Sequence, residues 1–239
     1  MSVLWMFVVS FGIMQVSVLC TTIYLHRTIT HRGMEVHPVI AFLMHLHLAL
    51  FTGIAPREWM AVHRKHHQFS DHEGDPHSPV QMGLWKVFFL NALLYRKEAK
   101  NLSTVRKYTP DYRPTALDTL RADYWGVLAG IALFVLMFGW AWGLGLFIGQ
   151  AIAYIFLNSS INSLCHIVGY RNFDNQATNL TLVSYLTGGE GLHNNHHEYP
   201  TAARFAMTKG EFDPAWPLIR LLEGLGLASV KPLPVAKAA

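Results

Sequence analysis

Charge is scarce in this chain. Only 14% of its 239 residues are Asp, Glu, Lys or Arg, against 51% hydrophobic, whereas a soluble domain carries about a quarter of its residues as charge. With a mean hydropathy of +0.23, that shortage argues against a soluble enzyme and for a membrane protein. Cysteine is scarcer still. Cys20 and Cys165 sit singly in apolar runs, which excludes a disulfide framework, a CxxC redox motif and a cysteine zinc site. The chain has no haem-attachment segment, no four-cysteine iron–sulfur spacing and no glycine-rich dinucleotide loop, so it carries no electron source of its own. Its net charge of +4 is too modest for nucleic-acid binding and reads as membrane orientation.

Residues 1–26 and 122–170 lack Lys and Arg altogether; all 19 fall in 27–121 or 171–237. Residues 1–25 are uncharged, without the basic start and small-residue cleavage site of a signal peptide, and are predicted to cross the membrane as a helix. The run 124–164 is long enough for a hairpin of two spans, 124–140 and 142–165, broken within 139–145. The positive-inside rule then places both basic regions on the cytoplasmic side. The apolar run 38–54 is short, and a full crossing there would export most of the positive charge, so it is expected to be re-entrant or packed against the bundle. Residues 84–95 are expected to lie at the interface, and 166–230 to form a cytoplasmic cap before a tail at 231–239. Trp5, Trp140 and Trp142 mark the outer interface, and Tyr24, Tyr124 and Trp125 the inner one. The whole of 1–239 reads as one all-α integral membrane domain with about three transmembrane helices.

Histidine is the residue in excess, at 14. It clusters in His26-x-x-x-x-His31, His63-x-x-His66-His67 and His193-x-x-His196-His197. Two HxxHH windows by chance is roughly a one-in-a-thousand event at this composition. On a helix, i, i+3 and i+4 share a face, so each HxxHH is expected to aim three imidazoles at one point. His26 and His31 diverge by about 140° on a regular helix, so they are expected to flank a pair of metals or to sit where the helix ends. Neutral imidazole suits iron, zinc, copper and nickel, and eight histidines exceed what one four-coordinate zinc needs. Two metals sharing them is the simplest arithmetic. Asp71, Asp75, Glu190 and Glu198 are the carboxylates available to orient the rings through their outer nitrogens. His37, His45, His47, His72 and His77 are read as ordinary hydrogen-bonded or surface groups.

These boxes, the last set in Gly189-Glu190-Gly191-Leu-His-Asn-Asn-His-His, resemble those of the membrane fatty acyl desaturases. The flanks agree: Glu58-Trp59 before the second box, Asp75-Pro76-His77 after it, and Asn162-Ser-Leu-Cys-His166 before the third. The likeness covers about residues 15–227 and is nearest the stearoyl-CoA (delta-9) branch with its bacterial acyl-CoA and acyl-lipid members. It implies a cytoplasm-facing site in a bacterial inner membrane, where two iron ions use O2 to place a cis double bond in a long-chain acyl substrate. It also implies His166 as a ninth ligand, Asn162 as a ligand through water, Arg96 and Lys97 as phosphate contacts of the substrate, and Trp59 as a further substrate-binding residue. The acyl chain would descend along the first helix past Ser10, Met14 and Ser17, which recur on one face. An external ferredoxin, rubredoxin or cytochrome b5-type donor would dock on the cytoplasmic side. The sequence departs from the animal members in having one helix, not two, before the first box. Val62, Ile54 and Ala55 also stand where those members carry polar residues that help hold coenzyme A. A related hydroxylase or decarboxylase acting on fatty acids or alkanes shares the same boxes and is the alternative. A metal carrier is disfavoured because the clusters flank the spans, whereas transporters bind near the bilayer midplane.

Overall fold

The structure is a computed structural model describing residues 2–232; most of the tail expected at 231–239 lies outside that range. In chain order the helices are α1 (Val3–Cys20, continued by a π-helical segment Thr21–Thr30), α2 (Pro38–Phe51), α3 (Pro56–Phe69), α4 (Pro79–Met82), α5 (Leu84–Ala99) and α6 (Leu102–Tyr108). They continue with α7 (Ala116–Thr119), α8 (Ala122–Phe138), α9 (Trp140–Ser163), α10 (Thr181–Leu186), α11 (His193–Glu198) and α12 (Trp216–Gly224). A 3₁₀ turn, Leu164–His166, prolongs α9. Strands β1 (Met34–Val36) and β2 (Ala228–Val230) pair antiparallel and tie the C-terminal part of the described chain to the end of the first helix.

Two continuous helices are long and apolar enough to cross a membrane, Val3–Thr30 and Trp140–His166, and Ala122–Phe138 is a shorter apolar helix between them. At 14 residues, α2 reaches only about 21 Å, less than a hydrocarbon core. It stops at Phe51, and the chain bends by 91° into α3. Pro56, at the first position of α3, has no amide hydrogen to extend a helix from before it. Along its length α2 packs against α8 and α1. That approach needs a bare backbone: a Cβ on Gly130 of α8 would lie 2.0 Å from the Leu50 carbonyl oxygen.

The predicted break in the hairpin is a single residue, Gly139, at φ +78°. Here glycine supplies a backbone that most residues avoid. Phe134, Phe138, Leu146 and Phe147 fill the α8–α9 contact, while Leu4, Phe11, Leu136 and Ile148 face outward and are exposed. An apolar exterior over a packed apolar seam is the pattern of a bundle whose solvent is lipid. Trp5, Trp140, Trp142, Tyr124 and Trp125 are all exposed, as interface markers must be, but Tyr24 is buried and stacks on His45 at 5.9 Å. The helix expected over 84–95 runs on to Ala99 and packs along α9.

Candidate metal centre

Four segments deliver the histidines to one end of the bundle. Along Thr21–Thr30 the helix widens to the i→i+5 pattern, and the His31 amide donates to the His26 carbonyl at 3.1 Å. That π-helical segment brings residues five apart over one another, and π-segments recur at functional sites. His26 and His31 therefore converge, with ring centroids 4.9 Å apart; the divergence expected of a regular helix does not occur.

The nine rings form two groups, His26, His31, His63, His67 and His196 in one, and His66, His166, His193 and His197 in the other. Neither HxxHH aims at one point. On α3 the i, i+4 pair His63 and His67 joins the first group and His66 the second; on α11 the pair His193 and His197 joins the second and His196 the first. Helical geometry gives the reason: i and i+4 lie about 40° apart, whereas i+3 falls about 60° to the other side of i. Each box thus straddles the line between two centres.

The outer nitrogens are held by carboxylates. His26 Nδ1 meets Glu190 at 2.6 Å, His66 Nδ1 meets Asp75 at 3.0 Å and His166 Nδ1 meets Asp71 at 2.7 Å. A carboxylate there fixes the ring and leaves Nε2 as the inward lone pair. Glu190 also accepts from Thr22 Oγ1, and Asp71 from Ser78 Oγ at 2.7 Å. Glu198 is exposed and hydrogen-bonds none of the nine, because α11 turns its last residue away from the centre.

Inside the first group, Nε2 faces Nε2 at 2.9 Å for His26–His196 and His67–His196, and at 3.0 Å for His31–His63 and His63–His67. In the second, the His166–His193 and His193–His197 pairs stand at 3.1 Å, and buried His66 Nε2 has no protein partner. Burial, then neighbouring rings, pushes His63, His67, His193, His196 and His197 well below the ordinary histidine range, so they are neutral, which is the ligating form. Converging lone pairs repel unless a cation sits among them. About 3 Å is also the spacing of neighbouring nitrogens on a metal with bonds near 2.1 Å. The residues present fit two imidazole-bound metal ions.

Asn194 and Asn195, fully buried, lock α11 in place. Asn194 Oδ1 accepts from the Asn172 amide at 2.8 Å, and Asn195 Nδ2 donates to Glu211 at 2.8 Å. Arg27 is buried beside His26, paired with Asp213 at 3.0 Å and lying over the Phe205 ring. Neither support carried a sequence signal beyond polar residues next to the boxes.

A cavity of about 220 Å³ lies under the centre between the α2–α3 elbow, α5 and α9. Trp59, Tyr95, Asn158 and Asn162 line it and also a smaller space that reaches His63, His193 and Glu190. Trp59 stacks on His63 at 4.8 Å. Asn162 donates to Asn91 at 3.1 Å, one helical turn before His166. Ser10 and Met14 line a separate space of about 460 Å³ between α1 and α9, and Met14 packs on Tyr154, which borders the first cavity. Ser17 lines neither and bonds His47 at 3.0 Å. Arg96 and Lys97 are exposed and do not border the cavity. His77, read as ordinary from the sequence, is buried against His66 with ring centroids at 4.6 Å and neither ring nitrogen partnered. The Asp75-Pro76-His77 flank was its only signal. The cavity itself has no linear signature, since its wall comes from four separate segments.

Residues 2–210 match the fatty acid desaturase family model. The chain is 31% identical over 239 residues to delta-9 acyl-lipid desaturase 2 of Arabidopsis thaliana, covering 95% of this chain and 74% of that protein. It is 35% identical over 212 residues to sn-2 palmitoyl-lipid 9-desaturase of Nostoc sp. (strain 36), covering 85% and 73%. With icosanoyl-CoA 5-desaturase of Limnanthes douglasii it shares 33% over 225 residues, covering 91% and 62%. A histidine-rich centre at the end of an apolar bundle and a match over most of its length agree: the chain belongs to the fatty acid desaturase family and is an oxidoreductase of lipid metabolism.

Proposed function

We propose that this protein is an O2-dependent di-iron desaturase that places a cis double bond, at the delta-9 position, in a long-chain acyl group. The observation that carries the reading is the division of nine imidazoles into groups of five and four, with a cavity bordered by Trp59 and Tyr95 leading to them. His26, His31, His63, His67 and His196 would hold one iron, and His66, His166, His193 and His197 the other, with Asn162, which lines a space shared with His193, acting through water. Iron bound there would supply the redox chemistry: the two hydrogens removed from adjacent methylenes, together with O2, two electrons and two protons, would leave as two waters.

The protein's own share is placement. Glu190, Asp75 and Asp71 keep three rings turned inward, so little reorganisation is required during turnover. Trp59, stacked on His63, forms the wall that presents one carbon–carbon bond to the centre, and the narrow space there excludes bulk water. Electrons come from an external one-electron carrier of the ferredoxin, rubredoxin or cytochrome b5 type. The histidine end faces the cytoplasm, where that carrier and most of the basic residues lie.

The test is product analysis. Iron-loaded protein, a reductase–ferredoxin pair, O2 and stearoyl donors should yield the 9-ene by gas chromatography. A hydroxy acid or a shortened terminal alkene would instead establish the hydroxylase or decarboxylase alternative.

A further inference from the structure

We infer that the acyl chain enters its cavity sideways from the bilayer, and so arrives esterified to a membrane lipid rather than as a coenzyme A thioester. The inference rests on the desaturase reading above and narrows its substrate class.

Helix α5 has two working faces. Its inner face places Asn91, Ala92 and Tyr95 on the cavity. Its outer face carries Trp85, Phe89 and Leu93, spaced by four and exposed by 64%, 62% and 63%. The same side continues into Arg96, Lys97 and Lys100, all exposed and none in an ion pair among the described residues. Two apolar turns followed by a basic turn match the passage from acyl chains to lipid phosphates. Arg96 and Lys97 stand about 100° and 200° round the helix axis from Tyr95, so they serve the surrounding bilayer and not a ligand in the cavity.

The cavity wall says the same. It contains no Lys, Arg or His; its hydrogen-bonding side chains are neutral, from Thr52, Asn91, Asn158 and Asn162 with Tyr95, Tyr154 and Trp59. Amides and hydroxyls suit an acyl carbonyl, and the wall has no cation to hold the several phosphates of coenzyme A, whereas the single phosphate of a membrane lipid stays outside with the basic turn of α5. The wall is also continuous with the outside of the bundle. Ile155 lines the cavity yet is 41% exposed, beside the outward-facing Ile148, Ile152 and Phe156 of α9. On the other flank α5 lies between this space and its own exposed Trp85, Phe89 and Leu93, and the Phe88–Phe156 contact ties α5 to α9 with aromatic rings 5.6 Å apart. A chain already in the bilayer reaches the cavity at Ile155 without leaving apolar surroundings.

The experiment gives the iron-loaded protein one labelled chain in two carriers. In one nanodisc, ¹³C-palmitoyl chains are esterified to phosphatidylglycerol. In the other, ¹³C-palmitoyl-CoA is added to bilayers of diphytanoyl phosphatidylglycerol. Both receive O2 and the same reductase–ferredoxin pair. The labelled double bond is expected in intact phosphatidylglycerol, at a rate at least about tenfold above that on the thioester. Desaturation of the thioester with the lipid-borne label untouched would overturn the inference and leave the desaturase reading standing. Desaturation of neither carrier would sink that reading, and the inference with it. An Ile155→Trp variant, plugging the opening, should lower lipid turnover by about tenfold while retaining two irons per chain; an unchanged rate would remove the lateral route.

Discussion

His67 and His197 stack face to face, their ring centroids 4.3 Å apart and their planes 16° from parallel, although they belong to different donor groups. One ring comes from each HxxHH helix, so α3 and α11 brace each other where the two centres meet. The two histidine groups are built from shared helices but separate rings.

Loss of one group's ligand should therefore cost one metal first. His31→Ala, in the group of five, and His166→Ala, in the group of four, should each lower iron from two to about one per chain and abolish turnover. His45→Ala and His72→Ala should keep both irons and measurable activity. Iron analysis of purified variants reads the outcome, and a His31 variant that loses both irons would show a single coupled site.

Glu190→Gln keeps the shape but weakens the hold on His26 Nδ1. A drop of about 10–100-fold in iron affinity or turnover is expected. Glu198→Gln, on an exposed residue that touches none of the rings, should change neither. Equal effects from the two would mean that the Glu190 contact is not what orients His26.

Met14 is buried between the two spaces beside α1 and packs on Tyr154. Met14→Ala should join them and favour longer acyl chains; Met14→Trp should favour shorter ones. Chain-length profiles on mixed substrates test this, with iron content unchanged. The alanine variant should also lose about 2–5 kcal/mol of stability by leaving a hole in the seam. Uniform loss on all chain lengths would reduce Met14 to packing.

Asp111 accepts from Arg64 at 2.6 Å and pairs with Arg32. The Arg64 hydrogen bond, then the arginine charges, hold its carboxyl below the usual range. A depressed carboxylate contributes stability above its unfolded pKa of about 3.9 and loses it as pH falls through the lower folded value. Asp111→Asn should thus lower Tm at pH 7, with the gap closing towards pH 3. The group is partly exposed, so 0.5 M salt should shrink the gap by roughly half or more. A gap independent of pH would assign the loss to packing.

The orientation of the bundle can be read with a membrane-impermeant thiol reagent in intact cells. Cysteines placed at exposed Ser103 and Thr201 should be protected, and one at exposed Ala141, beside the α8–α9 break, should be labelled. Labelling of Ser103 alone would put the two HxxHH helices on opposite sides of the membrane, which their shared ring stack forbids.

The sequence alone carried everything that depends on local spacing. Uncharged runs marked the apolar helices, and the three boxes named eight of the nine rings that the fold gathers. Family likeness added His166 and Asn162, which no spacing nominates. What tertiary structure decided is what several segments make together. His63 and His67 part from His66 because α3 passes between two centres, a fact of docking and not of period. His26 and His31 converge because the helix widens to i→i+5 where it packs against α3 and Glu190, against the regular 3.6-residue repeat that a sequence leads one to assume. The carboxylate that orients His26 lies 164 residues away, and Glu198, one residue from a ligand, orients nothing. The cavity likewise exists only once the α2–α3 elbow, α5 and α9 close on one another. Spacing along a chain fixes which side chains share a helix face; which faces meet, and what lies between them, is set by packing between segments far apart in sequence.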